Sequence, residues 1–125
     1  DVARSGAGGL DFGWATMEGS HCYNADDCDQ TGLTLPLAEY DHAFGCAVVG
    51  GVVMRDPTQP GLLERYLFAD ACTGRFWTSP LSGDGLRPAT IVAEPSRQVS
   101  ALGEAADGRI LVTDLRSGEL LRVTQ

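Results

Sequence analysis

Apolar positions along the chain gather in short strand-length runs of roughly five to ten residues, spaced by turn signals. The clearest case is the stretch Val99–Thr124. Val99–Ala105, Arg109–Leu115 and Glu119–Thr124 read as three strands. They are joined at Asp107-Gly108 and Ser117-Gly118, where Gly takes positive φ without a Cβ clash. A three-stranded meander of this size cannot bury both of its faces alone, so it predicts a similar sheet beside it.

The same grammar extends upstream. Cys46–Arg55 is a Val-rich run suited to burial on both faces, with Gly50-Gly51 marking a bulge or a close backbone approach. Leu62–Ala71 and Arg75–Leu81 form a hairpin about Thr73-Gly74, and Ala89–Glu94 adds a further strand after a turn at Gly83-Asp84-Gly85. Leu33–His42 is extended, but Pro36 bars it from a central strand. Leu10–Gly19 predicts a strand or extended segment that buries Phe12 and Trp14, and Ser20–Gly32 a polar loop. Asp1-Val2-Ala3 reads as a strand stub. Two stretches, YLFADACTGRFWTSPL and ILVTDLRSGELLRVTQ, repeat one pattern: apolar strand, Asp shortly before a Thr-Gly or Ser-Gly turn, second strand. Their spacing of roughly 45 residues is a propeller-blade period. The expected fold is all-β: about two blades of a β-propeller, each an antiparallel meander, with residues 1–95 giving one blade and its preceding loop segment and 96–125 the last blade.

Composition narrows the partners. The net charge is −8 and all nine cations are Arg, so a phosphate backbone is repelled and nucleic acid is not an expected partner. No apolar run is long enough to cross a membrane as a helix. Four cysteines in a Gly-rich chain predict two disulfides and an oxidising compartment. Spacing allows three pairings; Cys22–Cys28, closing a small loop, with Cys46–Cys72, tying two strands, is the expected one. A zinc site with His21 or His42 is disfavoured because no C-x-x-C pair is present. The run from Asp27 to Gly32 has the alternating oxygens of a Ca²⁺ loop, but Ala38 stands at the twelfth position and Glu39 comes one residue late. Gly6-Ala7-Gly8-Gly9 lacks the third glycine and the helix of a dinucleotide loop.

The segments FGWATMEGSHCYN, CDQTGLTLPLAEYDH, GCAVVGGVVMR, YLFADACTGRFW and ALGEAADGRILVTDLRSGELLRV together resemble the glucose/sorbosone dehydrogenase-type family, the PQQ-dependent sugar dehydrogenase-like six-bladed β-propellers. The resemblance covers nearly the whole chain and places it in the C-terminal third of such a protein. It implies secretion or a periplasmic location, and the four cysteines resemble the two disulfides of one branch. It also implies a whole protein that oxidises an aldose or similar sugar by hydride transfer to PQQ, with Ca²⁺ as the metal. The general base and much of the cofactor site would lie in earlier blades, so this chain is not expected to be catalytic alone.

Within the chain, the resemblance offers Arg97 as a cation for PQQ carboxylates, because a tri-anionic cofactor needs paired cations. It offers the Phe12 backbone carbonyl to a structural Ca²⁺. The loop expected to carry a cofactor-contacting Lys has Cys72-Thr73-Gly74 instead. Tyr40 and His42, in a loop before a buried strand, are the candidate sugar contacts. Trp14 and Trp77 could stack on a sugar, but core packing is the expected role for both. Two blades alone would leave large apolar faces, so the expected partners are the remaining propeller blades, or copies of this chain closing a ring in which three copies supply six blades. A non-catalytic propeller that binds carbohydrate or an extracellular partner is the alternative.

Overall fold

The computed structural model describes residues 1, 3, 6–81 and 88–124. The turn expected at Gly83-Asp84-Gly85 and the Val2 part of the expected stub lie outside them. The chain divides into two compact units, one drawn mainly from Asp1–Glu39 and the other from Tyr40 onward. Nine strands and one 3₁₀ turn, Pro60–Leu62, make up the regular structure of the described residues, which is all-β.

The first unit is a small disulfide-closed assembly. β1 (Met17–Glu18) and β2 (His21–Cys22) pair as a hairpin, and Cys22 is bonded to Cys28. Asp11 and Leu33 make a single parallel bridge, so Leu33–His42 forms no strand. Glu39 accepts hydrogen bonds from the Ser20 amide at 2.7 Å and its hydroxyl at 2.8 Å. Of the strand or extended segment expected over Leu10–Gly19, Met17–Glu18 is strand, but the expected burial of Phe12 and Trp14 is not found. The Asp11 carboxylate takes the Gly13 amide at 2.8 Å, and the Gly13 carbonyl accepts from both Thr16 and Met17. Residues 13–17 therefore coil into a tight turn, with Gly13 at φ 83°. Trp14 stands at its tip, 95% exposed, and Phe12 is 41% exposed.

The second unit holds two antiparallel meanders. One runs β3 (Val48–Val53), β4 (Arg65–Asp70), β5 (Phe76–Pro80), β6 (Thr90–Ala93); the other runs β7 (Val99–Glu104), β8 (Ile110–Asp114), β9 (Leu120–Arg122). The Gly50-Gly51 bulge is present: pairing jumps from Val49↔Ala69 to Val52↔Leu67. A Cβ on Gly51 would lie 2.7 Å from the Tyr66 ring and closer still to the Leu67 carbonyl, so glycine is required there. The expected burial of this strand on both faces is not found. β3 is an edge strand, with Val48 exposed and Val49 and Val52 half-buried against the core.

One core joins the two meanders. Met54, Leu67, Ala69 and Phe76 of the first pack with Val99, Ile110 and Val112 of the second, fringed by Leu62, Leu102 and Val123. Each of the larger side chains contributes about 1.5–3 kcal/mol by leaving water. The first strands of the two meanders, β3 and β7, adjoin.

The meanders are repeats in register. Ala69↔Phe76, Phe68↔Trp77 and Leu67↔Thr78 in the first correspond to Thr113↔Leu120, Val112↔Leu121 and Leu111↔Arg122 in the second. Leu67, Ala69 and Phe76, which face the second sheet, therefore match Leu111, Thr113 and Leu120. Those three lie on the side of the second sheet opposite to Ile110 and Val112, because side chains alternate along a strand. The sheets stack front to back, not face to matching face.

Candidate functional site

The candidate site is the end of the second unit where each hairpin turns, at Asp70 and again 44 residues later at Asp114. Each turn is an Asp-x-x-Thr/Ser-Gly sequence. The Gly amide donates to the Asp carbonyl, at 3.0 Å for Gly74 and 2.9 Å for Gly118. Both glycines have positive φ, 72° and 70°. Ala71 donates to Ala47 O as Leu115 donates to Gln98 O, so the entry to β3 and the entry to β7 are gripped alike.

Asp70 is fully buried and accepts six hydrogen bonds. Oδ1 takes the amides of Cys72 and Thr73 and the Thr73 hydroxyl; Oδ2 takes the amides of Cys46 and Ala47 and the Tyr40 hydroxyl. Burial alone would raise its pKa, but the donors from Thr73, Ala47 and Tyr40 outweigh it and hold the carboxyl well below the usual range. The Tyr40 phenol is pushed above the ordinary tyrosine value, first by burial and then by the Asp70 carboxylate. Its ring stacks on Trp77 with centroids 4.9 Å apart and planes 6° from parallel, and more distantly on Phe68. Phe44 meets Trp77 edge-on, and its carbonyl accepts from Arg75 at 2.7 Å.

Asp114 repeats the arrangement with different donors. Oδ1 takes the amides of Gln98 and Arg116; Oδ2 takes Arg97 Nη1 at 3.1 Å and the Ser117 hydroxyl at 3.0 Å. Burial works against ionisation, but these donors bring its pKa down to about 2. Arg97 Nη1 also contacts Glu119, and the two carboxylates hold the guanidinium more firmly protonated than usual. By the paired turns, Arg97 and Arg116 stand where the first sheet has Cys46 and Cys72, which are disulfide-bonded.

Of the residues singled out from sequence, Tyr40, Arg97, Cys46 and Cys72 are gathered around these turns. A Cβ on Gly74 would lie 2.6 Å from the Pro95 carbonyl and closer still to that of Arg97, so the Asp70 turn packs against the backbone that leads into β7. His42 is exposed in the turn closed by Phe44 N on Asp41 O, two residues from Tyr40. Phe12 belongs to the other unit, beside the Asp11 carboxylate that caps Gly13. Cys46, Asp70 and Cys72 bring sulfur and oxygen atoms within metal-binding distance, but the sulfurs are bonded to each other and offer no thiolate. Trp77 is 5% exposed, as expected of a core residue, and its indole nitrogen is buried with no hydrogen-bond partner among the described residues; Trp14 departs from that expectation.

Asp70, Asp114 and Phe44 are the members that sequence reading did not single out as site residues. The recurring Asp before a Thr-Gly or Ser-Gly turn was the available signal for the two carboxylates. Chemically, the ensemble is a pair of buried anions saturated by donors. The carboxylates and Arg97 are engaged in holding turns rather than aimed at a vacant position. No protein-family model matches the chain, and no solved structure matches it with significance.

Proposed function

We propose that the chain is two consecutive blades of a β-propeller of the sugar dehydrogenase-like type, secreted or periplasmic, and that it serves binding rather than catalysis, with carbohydrate or an extracellular partner as ligand. The blade reading is supported by meanders in register at a 44-residue period, by adjoining first strands and by front-to-back stacking. The two disulfides, Cys22–Cys28 and Cys46–Cys72, accord with an oxidising compartment.

The observation that carries binding over catalysis is the position of Arg97. Its guanidinium lies against Asp114 and Glu119, so a PQQ carboxylate would have to displace two carboxylates already in place. Of the candidate stacking groups, Trp77 lies under Tyr40 while Trp14 presents its ring to solvent. Aromatic faces of this kind hold sugars by stacking on their C–H surfaces, so Trp14 is the proposed contact.

Titration with PQQ and Ca²⁺, followed by absorbance and by dye reduction over a panel of aldoses, is expected to give no spectral change. A glycan array probed with the chain and with Trp14→Ala is expected to show binding that the variant loses. PQQ uptake with sugar-dependent dye reduction would overturn the binding reading in favour of a dehydrogenase, and an array silent for both chains would overturn the carbohydrate ligand.

A further inference from the structure

The two disulfides differ in what surrounds them. Cys46 and Cys72 are both exposed, whereas Cys22 and Cys28 are half-buried, with Cys28 Sγ packed 3.4 Å from Met17 Sδ. Thiol exchange requires an attacking sulfur to reach the bond, so access favours reaction at Cys46–Cys72. The junction around that bond is also held without it. The buried Asp70 carboxylate accepts the Cys46 amide at 2.7 Å and the Cys72 amide at 3.0 Å, and Ala71 donates to Ala47 O at 2.9 Å. The second sheet builds the same junction with no covalent bond, placing Arg97 and Arg116 at the two cysteine positions. Breaking Cys46–Cys72 therefore leaves a folded junction with two thiols side by side.

The bond clasps one end of a strap. Residues 40–47 lie over Trp77: Tyr40 stacks on the indole, Phe44 meets it edge-on, and Arg75 Nη1 donates to the Phe44 carbonyl at 2.7 Å. We infer that Cys46–Cys72 is a thiol-exchange site for a dithiol reductant, and that opening it lets this strap lift from Trp77. One thiolate of the dithiol attacks a sulfur of the bond. The electron pair leaves on the other cysteine sulfur, which takes a proton. The second thiol of the reductant then closes its own disulfide and releases the first cysteine, which takes the second proton. Two electrons and two protons pass from the dithiol to the bond. A monothiol stops at a mixed disulfide, and the neighbouring cysteine, held in reach by Asp70, expels it again. With the bond closed the strap is fixed; with it open, hydrogen bonds alone hold it, and it opens and recloses. Opening is favoured at the indole, because Trp77 Nε1 has no hydrogen-bond partner among the described residues and gains water. The inference needs no sugar or cofactor and stands apart from the proposed function.

The test treats the oxidised 125-residue chain, without denaturant, with dithiothreitol or with glutathione at equal thiol concentration. Freed thiols are trapped with a maleimide and located by peptide mass. Dithiothreitol is expected to free Cys46 and Cys72 about tenfold faster than Cys22 and Cys28, and glutathione to leave Cys46–Cys72 closed. The reduced chain should keep a cooperative urea transition. Its amide exchange over residues 44–47 should quicken roughly tenfold while exchange in β8 is unchanged. Oxidised glutathione added afterwards should restore slow exchange by accepting the two electrons and two protons. A Cys46→Ser/Cys72→Ser variant should exchange over 44–47 like the reduced chain, with or without dithiol. Equal release of the two pairs, loss of the urea transition on reduction, or opening by glutathione as fast as by dithiothreitol would overturn the exchange site. Slow exchange over 44–47 in the reduced chain or in the serine variant would overturn the strap.

Discussion

Replacing Asp70 by Ala tests whether the turn is held by its carboxylate. The side chain is fully buried, and its two oxygens accept from four amides and two hydroxyls on three segments: Tyr40, the entry to β3, and the Cys72–Thr73 turn. A hydrogen bond to a charged group is worth roughly 1.5–3 kcal/mol net, and a buried donor left without an acceptor costs about 1–3 kcal/mol. The six bonds share one anion and are not additive, and water entering the vacated space would satisfy some donors. The expected loss is therefore about 4 kcal/mol, at the upper end of single substitutions. Asp70→Asn keeps the shape but turns an NH₂ group toward either the Oδ1 or the Oδ2 donors, so about 2–3 kcal/mol is expected on the same basis.

The assay is urea unfolding of the oxidised protein at neutral pH, read as the shift in midpoint at constant slope. A loss below about 1 kcal/mol for Asp70→Ala would refute the reasoning, since it would equate six bonds with one ordinary bond. A pH series supplies an independent check. Because the folded carboxyl is held below its unfolded value near 3.8, its contribution is complete above that value and fades as pH falls through the folded pKa. The deficit of Asp70→Asn against wild type should be level near neutrality and shrink on acidification below about pH 4. A deficit that grows on acidification would contradict the sign.

Gly74→Ala is expected to cost about 3 kcal/mol by thermal or urea unfolding, combining a left-handed φ with a Cβ driven into two carbonyls. Gly118→Ala, at nearly the same φ but in open space, should cost only about 1 kcal/mol; equal losses would show that the backbone contact at Gly74 does not matter. Trp14→Ala should change stability by less than about 0.5 kcal/mol and remove the red-shifted, acrylamide-quenched part of the tryptophan emission, leaving the shielded signal of Trp77. A Cys46→Ala/Cys72→Ala variant should lose about 2–4 kcal/mol, and a Cys22→Ala/Cys28→Ala variant less, because the second bridge closes a 26-residue separation and the first one of six; comparable urea midpoints for the two would refute the ordering.

The second unit was the legible part of the sequence because its signals are local. The apolar run Ile110-Leu111-Val112, the turn glycines Gly74, Gly108 and Gly118, and the double glycine of β3 each act within a few residues of where they stand. Trp14 was misplaced for the opposite reason. LDFGWATMEG alternates like a strand, but the Asp11 carboxylate captures the Gly13 amide and the chain turns before any ladder forms. β1 and β2 are two residues each, too short to leave a periodic trace. Asp70 reads locally as one more turn former. Its status as a hub depends on Tyr40, Cys46 and Ala47, which lie 23–30 residues upstream and arrive only when β3 pairs with β4.

The repeat also decides how Arg97 is to be read. Gln98 corresponds to Ala47, because each carbonyl receives the amide that follows the buried Asp. Arg97 therefore stands at the position of Cys46, and Arg116 at that of Cys72. Where the first sheet closes the junction with a disulfide, the second closes it with a guanidinium on Asp114 and Glu119. One structural task, fastening the entry of a first strand to the turn after the second, is done covalently in one sheet and ionically in the other. A cation with that task is occupied before any ligand arrives. Neutralising it with Arg97→Gln should therefore loosen the Asp114 turn, seen as faster amide exchange at Gln98 and Arg116, whether or not sugar or PQQ is in solution. Unchanged exchange at both amides would return Arg97 to the pool of groups free to hold an anion.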